Sequence, residues 1–294
     1  MTLRDNVSGS SASTIDASDP TGWSAADYAT VNGNQVRSAL AAIALAEQDK
    51  LSQNGQFDAS GLAFADIGCG AGEIAHEMAS RGYAVYACDY SRSMVEETAR
   101  RCTDAGVEVV QADANELILF PRTFDVIHSS WVLHWVTEID MLLDTLVGAL
   151  RPGGHVVLQW NAGHAADQPD GQFGILREVA ERPRWREQLV QVPFTMRRHP
   201  SDHIVARLRA ANLEIVNRVD DLAHPPVPDA PTMTLIDVRE RVKRTGMGQQ
   251  ITALGADIDD FLDEAIALMV ERGDTSLRDS RIIARRPIGS DRGL

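Results

Sequence analysis

A short apolar run that ends in a glycine-rich turn constrains the fold of this chain more than any other feature. Residues 62–67 are apolar except for Asp66, and the sequence continues as Gly68-Cys69-Gly70-Ala71-Gly72. The length of the run suits a buried parallel strand. A helical pattern follows at once, so the glycines lie where a strand ends and a helix begins. Such a turn brings backbone N–H groups close to a ligand.

Strand and helix patterns alternate along the rest of the first half, and the alternation weakens after residue 160. This rhythm predicts a parallel sheet with right-handed crossovers. The predicted strands are 62–67, 84–88, 108–111, 124–129, 155–160, 213–219 and 279–285. The predicted helices are 36–50, 73–81, 93–104, 138–150 (ended by Pro152-Gly153-Gly154), 201–211, 232–245 and 257–272.

Composition excludes several classes of protein. A net charge of −14 disfavours binding to a phosphate backbone. The longest wholly apolar stretch has 8 residues, 39–46, whereas a membrane helix needs about 20. Three cysteines without a CxxC pair argue against a metal site or a disulfide scaffold and favour a cytoplasmic location. The serine-rich residues 1–20 have no apolar segment, so we expect a disordered tail rather than a signal peptide.

The glycine spacing distinguishes between nucleotide-binding classes. A dinucleotide-binding GxGxxG pattern that starts at Gly68 would place its last glycine at position 73, where this chain has Glu73. No lysine follows the glycines, so a phosphate-binding P-loop is excluded. Asp66 would repel a pyrophosphate but would attract a cationic ligand or a ligand ammonium group.

The turn and four later segments, in their order, resemble the motifs of class I S-adenosylmethionine (SAM) methyltransferases. The segments are Asp66–Gly72, Asp89 with its neighbours, Gln111–Ala114, Phe124–Ser130 and Leu150–Gly154. The resemblance implies an α/β fold with a Rossmann-like, seven-stranded, mostly parallel sheet, helices on both faces and a C-terminal helical cap. It also implies SAM as the cofactor.

The resemblance further implies which residues hold the cofactor. Asp89 would accept hydrogen bonds from both ribose hydroxyls, because a carboxylate can accept two. Tyr90 and Met94 would flank the adenine, and Asp113 would accept from its amino group. The full predicted set is Tyr28, Arg37, Asp66, Gly68, Gly70, Gly72, Asp89, Tyr90, Met94, Asp113, Ala114 and Ser129.

Two further stretches resemble the branch that includes juvenile hormone acid and trans-aconitate methyltransferases. In that branch a glutamine near the N-terminus and the tryptophan of a Leu-His-Trp triplet hold a substrate carboxylate. The matching positions are Gln35 and Trp135, and both side chains carry N–H donors. We therefore favour O-methylation of a small-molecule carboxylate, which is already ionised at neutral pH.

Other functions stay open at this point. His134 could act as a base in C- or N-methylation of a secondary metabolite. The less favoured alternatives are an NAD(P)-dependent oxidoreductase and a non-catalytic SAM-binding protein.

The predicted domain organisation is a tail (1–20), a helical lid segment (21–58), a SAM-binding core (59–160), and the remaining strands with substrate cap helices (161–294). The expected partner is a small-molecule substrate, without nucleic acid or membrane, and self-association into a homo-oligomer is left open.

Overall fold

The computed structural model describes residue 25 and residues 32–161, 171–222, 234–273 and 279–289. Seven strands form one sheet: β1 (Ala63–Ile67), β2 (Ala84–Asp89), β3 (Glu108–Gln111), β4 (Phe124–Ser130), β5 (Leu150–Asn161), β6 (Glu214–Leu222) and β7 (Asp279–Arg285). The helices that the described residues form are α1 (Gly33–Asn54), α2 (Glu73–Ser80), α3 (Arg92–Arg101), α4 (Ile139–Ala149), α5 (Gly171–Ala180), α6 (Pro183–Leu189), α7 (Ser201–Ala210), α8 (Leu235–Gly246), α9 (Gln249–Leu254) and α10 (Ile258–Glu271).

The order of the strands places a ligand crevice at the middle of the sheet. The order is β3-β2-β1-β4-β5-β7-β6; β1 to β5 run parallel, and β7 runs antiparallel to both of its neighbours. The chain leaves β1 toward one edge and later returns to the other side of β1 as β4. Ligands bind outside the carboxyl ends of the strands at such a reversal. The predicted seven-stranded, mostly parallel α/β fold is confirmed.

Alternating residues of the strands contribute to two apolar layers, one on each face of the sheet. In β1, Ala65 and Ile67 pack toward α4 and α7, whereas Phe64 packs toward α1 and α2. Every residue of this strand is buried, as expected for a parallel strand that helices cover on both faces.

Most helices of the C-terminal half form a separate apolar cluster. Trp185 and Phe261 are among its buried side chains, their rings packing edge to face with centroids 5.6 Å apart. The helices of this cluster, α5, α6, α8, α9 and α10, lie in the two connections around β6. Trp135, which follows β4, packs against the same cluster, so the cap meets the carboxyl end of the sheet.

The structure corrects several predicted element bounds. The helix predicted over 138–150 ends at Ala149, and β5 begins at Leu150, so Pro152-Gly153-Gly154 lie inside the strand. The strand begins at Leu150 because this buried residue already pairs with Phe124 of β4. The register then shifts before the next pair, His155 with Val126. Gly153, which has a left-handed φ of 77°, lies in the shifted segment. Both ends of β3 and β7 are as predicted, and the other bounds differ by at most four residues. The sequence analysis missed α5, α6 and α9: α5 contains two glycines, and α6 and α9 are short and lack a clear apolar period.

Some predictions lie outside the described residues. These are the disordered tail over 1–20, Tyr28, and the parts of the lid segment that precede residue 32, except residue 25. Among the helices that the structure describes, none is long and apolar enough to cross a membrane.

A buried ionic cluster fixes α1 to the sheet. Asp49 of α1 accepts hydrogen bonds from His155 Nε2 at 2.7 Å and from Arg285 Nη1 at 2.8 Å. Burial opposes ionisation of Asp49, but the bonds from His155 and Arg285 outweigh it and lower its pKa. Burial also lowers the pKa of His155. The carboxylate thus ties α1 to β5 and β7 and sets the position of the residues at the start of the helix.

We predict that Asp49→Asn lowers the free energy of unfolding at pH 7 by about 1–3 kcal/mol, because the buried His155 and the half-buried Arg285 lose a charged acceptor. Because the folded-state pKa of Asp49 is depressed, its contribution is present above the unfolded pKa of about 3.9 and is lost as the pH falls below that value. Denaturant unfolding at pH 7 and at pH 3 measures both effects. The exposed control Glu187→Gln should change stability by less than about 0.5 kcal/mol, and an equal loss in both variants would contradict the assignment.

Candidate functional site

A cavity of about 520 Å³ opens at the carboxyl end of β1, β2 and β4 and extends under the helical cap. Its volume lies in the range of small-ligand sites, about 300–1,000 Å³. Many of the residues predicted from the sequence line it: Gln35, Gly68, Gly70, Asp89, Tyr90, Met94, Asp113, Ala114, His134 and Trp135. The fold therefore brings together segments that are up to 100 residues apart in the chain.

The glycine turn has a backbone that requires glycine. Gly68, Gly70 and Gly72 all have left-handed φ angles, of 76°, 55° and 85°. A Cβ atom at Gly68 would lie 2.0 Å from a methyl carbon of Val132. The N–H groups of Gly68 and Cys69 both donate to the carbonyl of Cys88 in β2, at 2.8 and 2.9 Å. The turn is thereby pinned to the adjacent strand, and Gly68 and Gly70 face the cavity.

Asp89 at the end of β2 completes this pinning. One of its carboxylate oxygens accepts from Gly70 N at 2.9 Å, and the other accepts from Ser91 N at 2.9 Å. A carboxylate oxygen can accept more than one hydrogen bond. The side chain is half-buried at the cavity wall, so it can order the turn and still accept from a ligand hydroxyl.

The segment after β3, which contributes Asp113 to the cavity wall, is held by a series of hydrogen bonds. Asp113 Oδ1 accepts from the backbone N–H of Asn115 at 2.8 Å, and Asn115 Oδ1 accepts from the N–H and hydroxyl of Thr137 at 2.7 and 2.9 Å. Met94 is buried against Ala71, whereas Tyr90 is 39% exposed at the rim. The lining of this cavity thus includes an acidic group, an apolar side chain and an aromatic ring.

Asp66 lies beneath the turn rather than in the cavity. Its Oδ1 is 2.7 Å from His128 Nδ1, and its Oδ2 is buried without a hydrogen-bond partner among the described residues. On the other side of the ring, His128 Nε2 is 2.6 Å from the hydroxyl of Ser130, which lines the cavity. The sequence analysis quoted His128 and Ser130 within one motif but missed the contact, because strand pairing alone brings Asp66 beside His128.

Four of the predicted cofactor residues do not line the cavity. Asp66, Gly72 and Ser129 are buried behind its wall, where Ser129 donates to the carbonyl of Ile67 at 3.0 Å. Arg37 is exposed on α1 and contacts Asn34. Their predicted roles stay predictions.

The far end of the cavity is apolar and aromatic. His134 and Trp135 lie in a single 3₁₀ turn, Leu133–Trp135, directly after β4. The His134 ring stacks on Phe173 of the cap with centroids 5.6 Å apart and contacts Trp135 at 5.4 Å. Gln35 reaches the cavity from α1. Gln35 and Trp135, whose side chains both carry N–H donors, thus line the same cavity.

The environment of His134 disfavours its use as a base. The side chain is buried, its Nδ1 atom has no hydrogen-bond partner among the described residues, and burial lowers its pKa to about 4. A base works best when its pKa lies near the working pH. The ring is therefore neutral at neutral pH and accepts protons weakly.

The backbone is strained where β4 enters the cavity. Trp131 has a left-handed φ of 58°, which is unusual for a large side chain. Its backbone N–H donates to Gln159 at 2.7 Å, and its indole Nε1 donates to Asp279 Oδ2 at 3.0 Å. These two contacts hold the conformation. Asp279 lines the cavity from the start of β7, a position that no sequence signal indicated.

The three cysteines are poorly suited to ionise, and the described acidic residues form no metal site. Cys69, Cys88 and Cys102 are free and buried, and burial raises their pKa values, that of Cys88 to about 12. Within the described parts of the chain, no group of three or more His, Cys, Asp or Glu side chains is arranged to hold a metal ion.

Known proteins match the core of this structure. Residues 65–158 match a family model described as a methyltransferase domain. A demethylmenaquinone methyltransferase of Clavibacter sepedonicus is 37% identical over 94 residues, 32% of this chain and 38% of that protein. A trans-aconitate 2-methyltransferase of Mycolicibacterium gilvum is 33% identical over 131 residues, 44% of this chain and 48% of that protein. The chain thus spans about half the length of the curated relatives it matches, and the predicted resemblance is confirmed over the domain.

Solved structures share the fold at low identity. A phosphoethanolamine N-methyltransferase 2 of Haemonchus contortus, in complex with SAM, has a TM-score of 0.53 at 20% identity, over 82% of this chain and 52% of that chain. The [4+2]-cyclase SpnF has a TM-score of 0.52 at 19% identity, over 83% of this chain and 81% of that chain. Because the second protein is named for a cyclisation, the fold does not by itself fix the reaction.

We predict that the imidazole of His134 stays neutral in the folded protein down to about pH 5, because its pKa is lowered to about 4. The ¹⁵N chemical shifts of labelled histidine, followed from pH 8 to pH 5, measure this directly, and His134→Gln assigns the signal. The depressed pKa also means that folding is stabilised most above the unfolded value of about 6.5 and less as the pH falls toward 4. Titration of this ring near pH 6.5 would contradict the buried environment.

Proposed function

We propose that this chain, whose residues 65–158 form a methyltransferase domain, binds SAM and methylates a small-molecule carboxylate. The arrangement that carries the proposal is one cavity with two different ends. Gly68, Gly70 and Asp89 form the cofactor end, and Gln35 and Trp135 form the acceptor end. A secondary-metabolic substrate and a cytoplasmic location stay predictions of the sequence, and self-association stays open.

The residues at the first end fit the cofactor. Gly68 and Gly70 bring the backbone of the turn to the cavity surface, and Asp89 supplies acceptor oxygens for ribose hydroxyls. The buried, unpartnered Oδ2 of Asp66 places negative charge behind the turn, which favours a cationic ligand. When bound, SAM supplies an electrophilic methyl group on a sulfonium centre.

The residues at the second end suit an anionic acceptor. The amide N–H of Gln35 and the indole N–H of Trp135 can each donate to a carboxylate oxygen, and a bond to a charged group is stronger than one between neutral groups. A carboxylate has no proton to lose at neutral pH. The chain therefore needs only to align the acceptor and exclude water, and the aromatic wall of His134 and Phe173 supports that exclusion.

The cap closes the acceptor end. Phe173 of α5, Gln249 and Gln250 of α9, and Thr195 from the segment before α7 line the cavity beside Trp135. These elements belong to the connections around β6, outside residues 65–158 that match the family model. The identity of the acceptor is therefore encoded mainly outside the matched domain.

We predict that Asp89→Ala weakens binding of S-adenosylhomocysteine (SAH) by about 10-fold or more, since each hydrogen bond to a charged acceptor contributes about 1.5–3 kcal/mol. Titration calorimetry measures the affinity. Asp104→Ala, an exposed aspartate at the end of α3, is the matched control and should bind as wild type does. Unchanged affinity in Asp89→Ala would remove the ribose assignment.

We predict that Gln35→Leu and Trp135→Phe keep SAH affinity and lower kcat/KM for a carboxylic acid by about 10- to 150-fold, the value of one bond to a charged group. Methyl-labelled SAM with a panel of small carboxylic acids, followed by base treatment, releases the label of a methyl ester as volatile methanol. The exposed Gln56→Leu is the control. Release of base-volatile label at the wild-type rate by both variants would exclude the carboxylate clamp, and base-stable label would exclude the ester.

A further inference from the structure

A buried chain of polar side chains runs beneath the cavity and reaches it at one point. Asp66 contacts His128 at 2.7 Å, and His128 contacts Ser130 at 2.6 Å. Asp66 and His128 are almost fully buried, at 1% and 3% exposure, whereas Ser130 is half-buried and lines the cavity. Behind Ser130 the chain continues through Gln159, whose amide donates to Ser38 of α1 at 2.9 Å.

The charges and distances set the direction of these hydrogen bonds. A carboxylate accepts only, so the Nδ1–H of His128 donates to Asp66. The Nε2 atom of the neutral ring then carries a lone pair, and it accepts from the hydroxyl of Ser130. The Ser130 oxygen is also 3.4 Å from Gln159 Oε1, a much longer distance. The shorter distance assigns the hydroxyl proton to the imidazole, and Ser130 is the member of this chain that lines the cavity.

The surrounding backbone holds Ser130 in this position. Trp131, the next residue, is kept in its left-handed conformation by Gln159 and Asp279. Strained backbone near a functional group is a means of fixing that group before a ligand arrives. The Ser130 hydroxyl is therefore held close to His128. This suits proton transfer, because donor and acceptor must lie within hydrogen-bond distance.

We propose that Ser130, His128 and Asp66 form a proton-accepting relay that lets this cavity methylate hydroxyl-bearing acceptors, phenols or alcohols, in addition to carboxylates. The proposal rests on the proposed function, since the methyl group comes from the same cofactor. Ser130 is the proposed catalytic residue because, of the three, it alone lines the cavity. His128 and Asp66 act through it as positioning residues.

The step is balanced. The acceptor oxygen forms a bond to the methyl carbon as the carbon–sulfur bond breaks, and that electron pair stays on sulfur, which becomes neutral. The acceptor proton passes to the oxygen of Ser130 as the proton of Ser130 passes to His128 Nε2. The imidazolium is stabilised by Asp66, and the proton leaves to solvent when products depart. His134 is less suited to this task, because its Nδ1 atom has no hydrogen-bond partner among the described residues and its pKa is lowered to about 4.

The kinetic test compares two products of one assay. Wild-type protein is incubated with methyl-labelled SAM and either 4-hydroxyphenylacetic acid or members of matched panels of carboxylic acids and phenols. Ester label is base-volatile and ether label is base-stable. Because general acid–base catalysis contributes about 10²–10⁴-fold, Ser130→Ala and His128→Gln should lower ether formation at least 100-fold. Ester formation should fall at least 10-fold less than ether formation does, and Ser130→Thr should restore the ether.

Matched controls separate the relay from a structural role. His203→Gln breaks an exposed His–Asp pair with Asp140 on the surface and should change neither product. Equal losses of ester and ether in the relay variants, or wild-type protein that forms esters but no ether with any phenol or alcohol, would overturn the proposal. Wild-type protein that forms neither product would instead refute the proposed function.

A spectroscopic test does not depend on any substrate. In ¹⁵N-histidine-labelled protein at neutral pH, the relay requires that His128 carries its proton on Nδ1, and His128→Gln assigns the signal. A wild-type ring protonated on Nε2 would overturn the relay whatever the enzyme methylates.

Discussion

The attachment of the glycine turn to the second strand is the constraint on which the rest of the site depends. The N–H groups of Gly68 and Cys69 share the Cys88 carbonyl, and Gly70 N donates to the side chain of Asp89. These bonds form only if the turn adopts left-handed φ angles, which glycine alone adopts without a steric cost. Once the turn is pinned, β1 and β2 end at the same level. Asp89 then faces the cavity, and α2 begins directly behind the turn.

The same sheet edge gathers polar groups that the chain separates widely. Parallel pairing of β1 with β4 brings Asp66 beside His128, and pairing of β4 with β5 brings Ser130 beside Gln159. The hydrogen bond from Gln159 to Ser38 then joins α1, which carries Gln35, to the floor of the cavity. The cofactor end and the acceptor end are therefore connected by buried polar contacts, and such networks are costly to break when one member is removed.

The sequence predicted the central part of the molecule well because its signals are local. The run before Asp66, the glycines, and the acid at the end of β2 lie next to the turns that they specify. The cap was harder to predict. Helices α6 and α9 are 7 and 6 residues long, too short to show an apolar period, and tertiary packing around Phe261 stabilises them. The relay was missed because no local pattern shows that two strands 62 residues apart place Asp66 and His128 in contact. The burial of His134 likewise depends on Phe173 of the cap, which is distant in the sequence.

The most direct test of this account is a crystal structure of the complex with SAH. The account predicts that both ribose hydroxyls lie within hydrogen-bond distance of the Asp89 carboxylate, that the adenine lies near Asp113, and that the sulfur atom points toward Ser130 and Trp135. Ligand bound in the reverse orientation, or outside the cavity that Gly68 and Gly70 line, would contradict it.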